Sequence, residues 1–514
     1  MPVQTSYPGV YVQEVPSGVR TIAGVSTSVA LFVGRTKWGP ANVPTSCLNY
    51  SEFLRTFTDD TSQSDMARAV RLFFLNGGNQ CYITRVAGSG NAAATLLING
   101  GATTTLIITA KYPGVIGNSV KAIITESPVP AASSKFTLEL YRGVDGVKTD
   151  SQVWTGLSMD PTRSPTNLRY ALDIVDYKWA VLSAPAVINL VPPANTTVGT
   201  PLSLGANTLG NDGSVPTAPQ FKSLYDDIVD KEVDLFNLMV LPKDASISLP
   251  QSSLWGDASI FCQKRRAFLL MDPLPTWVSY QTATAIGVGA TGVNSLRQGS
   301  LVKDHSAVFF PNLIVNEGSS VIQVGPSGAI AGLMARIDAS RGVWKAPAGT
   351  EADLRGISGL EYRFSDGENG VLNPRGVNTI RIFPNGIVNW GARTMDGDDD
   401  FGSEYKYIPI RRTALFIEES LYRGLKWVVF EPNDEPLWAQ MRLNVGAFMH
   451  NLFRQGAFQG INPKDAYFVK CDKETTTQND INLGIVNIWV GFAPLKPAEF
   501  VVLSIQQMAG QINQ

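Results

Sequence analysis

Chemistry in this 514-residue sequence would have to reside in two histidines, four cysteines, one glycine-rich run or one run of aspartates. His305 sits in a Lys-Asp-His-Ser context and His450 closes a helix face. Neither has a companion ligand at metal spacing, and zinc patterns of the HExxH or paired-CxxC kind are absent, so both histidines are expected to be structural. Cys47, Cys81, Cys262 and Cys471 are scattered; buried free thiols are expected, with cross-subunit disulfides as the alternative. The run Val324-Gly-Pro-Ser-Gly-Ala-Ile-Ala-Gly332 suggests a phosphate-cradling loop, but it lacks the Gly-Lys-Ser/Thr ending and Pro326 removes a backbone donor. It is expected to be a turn into a helix beginning near Ala329. There is no G-x-S-x-G nucleophile elbow. The carboxylates of Asp396-Gly-Asp-Asp-Asp400 could hold a cation, yet their spacing does not match a calcium loop and no bidentate Glu follows, so a solvated acidic loop is expected. The nearby Arg411-Arg412 pair could meet acidic loops across an interface. No catalytic, cofactor-binding or metal-binding residue is assigned, and the chain is expected not to be an enzyme. A hydrolase on an α/β domain is kept as the alternative of another class, because fold does not imply activity.

The bulk numbers point the same way. The length predicts three or four domains. Apolar residues make up 44% of the sequence, ample for cores, while charged residues make up only 17%. Soluble domains carry about a quarter charged residues; a deficit is expected where surface is buried against partners, since interface cores are poor in charge. A net charge of −2 and the lack of a basic stripe argue against direct nucleic-acid binding. The N-terminal residues have neither a basic nor an apolar region of signal-peptide type, and no apolar run reaches the roughly 20 residues a membrane helix needs. Synthesis and folding in the cytoplasm without membrane insertion are therefore expected.

Positioning elements can be read along the chain. Residues 1–25 form an arm in which Val10-Tyr-Val-Gln-Glu-Val15 alternates like a strand between Pro/Gly punctuation. A lone terminal strand cannot satisfy its own backbone groups and must join a sheet in its own fold or in a neighbour. Residues 26–89 read as half of an α/β domain: a buried strand at Val29–Val33, a helix from Asn49 to Phe57, a second helix from Ser64 to Asn76 and a strand from Gln80 to Val86. Residues 90–215 turn rich in Thr, Ser, Gly and Pro with short strand-like runs, a β-rich insertion. Residues 216–348 resume the α/β pattern, with a helix predicted at Ser252–Lys264. Residues 349–514 form a C-terminal domain with strands at Thr379–Phe383, Leu425–Phe430 and Ala466–Cys471. Its helices run from about Pro409 to Arg423 and from Glu435 to Arg454, the second with a core stripe of Trp438, Met441, Val445, Phe448 and Leu452. The apolar run Phe500-Val-Val-Leu-Ser-Ile505 is a second terminal strand. The fold class is thus a multidomain mixture of α/β and α+β, a discontinuous α/β domain carrying a β-rich insertion.

Ordered stretches of the sequence resemble the contractile tail sheath family of phage tails and phage-related injection particles. They include Tyr7-Pro-Gly-Val-Tyr-Val-Gln-Glu-Val15, Phe73-Phe-Leu-Asn-Gly-Gly78 with Cys81-Tyr-Ile-Thr-Arg-Val86, and Arg341-Gly-Val-Trp-Lys-Ala-Pro347. Trp390-Gly-Ala-Arg-Thr394, Phe430-Glu-Pro-Asn433 with Trp438, and Ala493-Pro-Leu-Lys-Pro-Ala-Glu-Phe500 continue the series. The resemblance implies conserved domains near an inner tube, an inserted domain projecting outward, and terminal arms that add strands to neighbouring subunits. Val10, Tyr11, Val12, Val15, Phe500, Val501, Val502, Leu503 and Ile505 are the linking residues it implies. The implied partners are further copies of the chain in stacked hexameric rings, the inner tail tube protein, and baseplate and tail terminator proteins. The particle is expected to be a phage tail, with a headless contractile injection system or bacteriocin as the alternative.

Overall fold

The computed structural model describes residues 21–126, 135–163, 169–400 and 402–504. Val10, Tyr11, Val12, Val15 and Ile505 lie outside the described residues. The chain divides into two units, a larger one formed by Thr27–Ser340 and Pro347–Ile408, and a smaller one containing Arg341–Ala346 and the chain from Pro409 onward.

The larger unit is organised on an eight-stranded sheet. Ala30–Gly34 lies between Leu238–Val240 and Cys81–Arg85, and Phe268–Met271, Ser306–Phe310 and Val377–Phe383 follow on the Leu238 side, all parallel. Antiparallel strands close both edges, Thr45–Cys47 at one and Gly386–Asn389 at the other. Runs such as Ala30-Leu-Phe-Val33 and Phe268-Leu-Leu-Met271 are apolar at every position because a parallel sheet is buried on both faces, and these residues are buried throughout.

The helices follow from local chemistry. Asn49 caps Tyr50–Thr56 by accepting from Glu52 N at 2.9 Å, while the Glu52 carboxylate accepts from Leu48 N at 2.8 Å. Met66–Leu75 buries Met66, Ala69, Val70 and Phe73 and stops before Gly77, whose φ is 114° and where an added Cβ would lie 2.7 Å from Arg336 Cβ, leaving no place for a side chain. Between Arg85 and Leu238 the chain leaves the sheet and builds a three-stranded antiparallel sheet and a five-stranded sheet, antiparallel but for the edge pair Leu157 with Arg169, around their own core. The Arg85 guanidinium ties this insertion to the sheet, donating to Gly39 O at 2.8 Å and Pro113 O at 2.9 Å. Burial lowers its pKa to about 10.

Two expectations are corrected. Val377–Phe383 pairs in parallel with Ser306–Phe310, Val308 facing Val377, so residues 347–408 belong with the α/β sheet and the C-terminal unit begins at Pro409 rather than near residue 349. A β-type run reads the same whichever sheet it joins, and this pairing is long-range. Leu425–Phe430 is not a strand: Lys426–Val428 form one 3-10 turn, and Phe430 adopts φ of 70°.

In the smaller unit Ile408–Gly424 and Glu435–Arg454 are its long helices. Asp434 caps the second helix by accepting from Leu437 N, and Trp438, Met441, Val445, Phe448 and Leu452 are buried. Ile22 packs where Gly424 leaves space, and Val25 N donates to Ser420 Oγ at 3.2 Å. The unit is completed by a two-stranded antiparallel sheet, Tyr467–Lys470 with Trp489–Phe492.

Candidate functional site

The two-stranded sheet is the element left unfinished. Its register sets Tyr467 opposite Phe492 and Val469 opposite Val490, and all four side chains turn inward onto the cluster of Phe448, Met449 and Leu452 on the Glu435–Arg454 helix. The alternate residues turn outward: Phe468, Lys470, Trp489 and Gly491. Phe468 is 56% and Trp489 57% exposed. Gly491 has no side chain because the Phe468 ring lies over it; a Cβ there would collide with the ring. Among the described residues no third strand pairs with either edge of this sheet. A two-stranded sheet with both edges open leaves two rows of backbone groups able to accept a further strand.

Past Phe492 the chain makes a single bridge, Phe458 with Pro494, and then runs without regular structure to residue 504. Phe500, Val501, Val502 and Leu503 are 74%, 89%, 88% and 80% exposed. These residues, picked out as a linking strand, form no strand within their own chain. Four consecutive apolar side chains are thus left in water on a chain whose two-stranded sheet is joined by no third strand among the described residues.

The remaining candidate residues have internal partners. The glycine-rich run turns into a helix that starts at Ser327, two residues earlier than expected. The buried Asp272 carboxylate accepts from Ser327 N at 2.8 Å and from Gln251 Nε2 at 2.9 Å. It thus occupies the place at the helix N-terminus that a bound anion would take. Burial holds its pKa above the usual carboxylate range, against the hydrogen bonds from Ser327 and Gln251. Gly328 and Gly332 serve packing: a Cβ at Gly328 would lie 2.5 Å from Ala69 O, and one at Gly332 would collide with Phe73 O.

The aspartate run is solvated only in part, Asp399 and Asp400 being exposed and Asp398 buried, which narrows the expectation. Asp398 is buried and pairs with Arg297 at 2.8 Å; Asp399 accepts from the buried Arg393 at 2.9 Å and from Lys406 at 2.6 Å. A cavity of about 350 Å³ beside it has two cations, Arg297 and Lys303, and three carboxylates, Asp396, Asp398 and Asp400, in its lining. No group of His, Cys, Asp and Glu that could hold a metal occurs among the described residues. Arg411 and Arg412 are buried rather than presented to an interface, and Arg411 lies 3.7 Å from Glu418. His305 is buried with Nδ1 2.9 Å from Asp304, while His450 Nδ1 lies 3.2 Å from the Tyr467 hydroxyl. All four cysteines are buried and free, Cys47 directly across from Cys81 in adjacent strands. Burial pushes the Cys47 thiol up to about 12. Sequence reasoning did not single out Phe468 and Trp489: Tyr467-Phe-Val-Lys470 and Trp489-Val-Gly-Phe492 show no alternation of apolar and polar residues, and their pairing lies across eighteen intervening residues.

Comparison with known proteins places these features. Residues 400–508 match the family described as phage tail sheath C-terminal domain. A prophage major tail sheath protein of Pseudomonas aeruginosa is 29% identical over 179 residues, 34% of this chain and 43% of that protein. The matched stretch spans less than half the length of each curated relative. Among solved structures, the anti-feeding prophage helical sheath in its contracted state aligns with a TM-score of 0.59 at 25% identity, covering 98% of this chain and 99% of that one. The sheath of the PVC extracellular contractile injection system, also contracted, aligns with a TM-score of 0.60 at 21% identity over 98% and 99% of the two chains. The fold is therefore that of contractile sheath proteins, a mixed α/β multidomain architecture with several sheets.

Proposed function

We propose that this chain, with a tail sheath domain at its C-terminal end and the fold of contractile sheaths, is the structural subunit of such a sheath. It polymerises as a helix around an inner tail tube and contracts to drive the tube through a target envelope. The observation that carries this reading is a C-terminal sheet that no third strand joins among the described residues, on the same chain as an exposed apolar tail, Phe500–Leu503. Strand donation from one copy to the next is head-to-tail, so it builds an open helix and not a closed ring of two. Val10, Tyr11, Val12 and Val15 are assigned to the second donated strand on their sequence pattern, and Ile505 extends the first. Backbone ladders of this kind keep neighbours tethered while subunits change packing. Contraction then needs no nucleotide, since a lattice assembled in a higher-energy arrangement releases its energy subunit by subunit. The tube, baseplate and tail terminator are the partners on this reading, and the tail of a virion assembled in the host cytoplasm is the location. A headless injection particle is the second reading, favoured by the likeness to the anti-feeding prophage sheath over 98% of the chain.

Electron microscopy of full-length protein, with and without co-expressed tube protein, tests the proposal against versions lacking residues 1–20 or 499–514. Hollow, helically striated cylinders from the full-length chain alone are expected. A truncated chain that polymerises as well as the intact one would show that its missing segment does not link subunits. Full-length protein that stays monomeric even with tube protein present would overturn the sheath reading.

A further inference from the structure

We infer that the outward face of the two-stranded sheet, carrying Phe468 and Trp489, is covered by a second copy of this chain in the assembled state. This rests on the strand-donation reading and says what happens to the sheet once a strand is added. Side chains alternate along a strand, so in a donated Phe500–Leu503 strand, Phe500 and Val502 face one side and Val501 and Leu503 the other. A strand with one face in water alternates apolar and polar residues. An uninterrupted apolar run belongs to a strand buried on both faces.

The helix Glu435–Arg454 covers only one face. On the other, Phe468 and Trp489 are more than half exposed, so no described part of the chain covers them. The Phe468 ring lying across Gly491 makes this face flat, and the Lys470–Glu474 ion pair marks its rim. Adding a strand would place two more apolar side chains on a surface that already exposes two aromatics. Such a patch, aromatic at the centre and charged at the rim, has the composition of an interface core. A helical array supplies the cover in the form of another subunit. Because the polymer is open, the covering surface differs from the one covered.

The test uses the full-length chain carrying Phe468→Ser, Trp489→Ser or both. Each monomer is expected to unfold at the wild-type temperature, since both side chains are half in water. The concentration at which the double variant sediments as polymer is expected to rise at least about tenfold, as loss of a central Trp from an interface exceeds about 1.4 kcal/mol. In the wild type, polymerisation should shift tryptophan emission to shorter wavelength, and the shift should shrink in Trp489→Phe. A double variant that polymerises at the wild-type concentration, with an emission shift untouched by Trp489→Phe, overturns the inference. The arms separate the two ideas. If the version lacking 499–514 fails to polymerise while the face variants succeed, only the covered face is wrong. If that truncation polymerises normally, strand donation is wrong and the inference falls with it.

Discussion

Asp272 shows how one side chain can settle a question that a motif leaves open. It closes the N-terminus of the Ser327–Arg341 helix from within, at the cost of burying a carboxylate. Its pKa is raised by that burial, so the folded state holds its proton at pH values where the unfolded chain has released it. Stability therefore falls as pH rises from the ordinary carboxylate range near 4 through the raised folded value. Asp272→Asn, which cannot ionise and keeps an acceptor for Ser327 N, should flatten this slope; thermal melts of both proteins from pH 4 to 7 measure it. A wild-type slope unchanged in the variant would place the dependence elsewhere. The same scale explains a misreading. Asp398 looks solvated in sequence because Arg297, which it neutralises, is not its neighbour in any periodic pattern and lies about a hundred residues away.

Elements were legible in proportion to how local their signals are. Ser252–Lys264 and Glu435–Arg454 are legible because their signals are local: buried Leu254, Ala258, Phe261 and Cys262 recur at helical spacing in the first, and the second has its Asp434 cap next to it and its apolar stripe within it. Lys426–Val428 could not, since Trp427, Val428 and Val429 suit a strand and only the turn at Phe430 excludes one. The glycines of the Ser327–Arg341 helix belong here too. Gly328 and Gly332 lie one helical turn apart and meet Ala69 and Phe73, also one turn apart, on Met66–Leu75. Close helix contact, not phosphate, requires their small size. Gly332→Ala should wedge the helices and lower stability by about 1–3 kcal/mol, despite the better helix propensity of alanine. Urea unfolding followed by circular dichroism gives the sign, and a stabilised variant would refute the packing argument.

At the scale of the molecule, the boundary of the smaller unit was the part least open to sequence reasoning. Residues 347–408 carry strands, turns and no linker-like composition, and only the pairing of Val377 with Val308 assigns them to the α/β sheet. The proposed assembly surface was half legible: the apolar run at Phe500–Leu503 stands out in sequence, but the sheet proposed to receive it is made from two short strands paired across eighteen residues. A synthetic peptide spanning residues 496–507 should occupy that sheet and compete with the donated strand. Added in excess to assembling protein, it should slow polymer growth in light scattering, while a scrambled peptide of the same composition has no effect. Equal growth with both peptides would show that the tail acts by general hydrophobicity instead of strand pairing.

The open sheet edges and the bare tail sit on the same chain, and this gives any polymer linked through them a direction. At one extremity the last subunit has empty edges waiting for a strand; at the other it has an unreceived tail. The two ends are chemically unlike, so growth can start from one and stop at the other only if different molecules recognise them. An initiator must present what a tail or an edge lacks, and a terminator must present the opposite. A single capping protein cannot serve both ends.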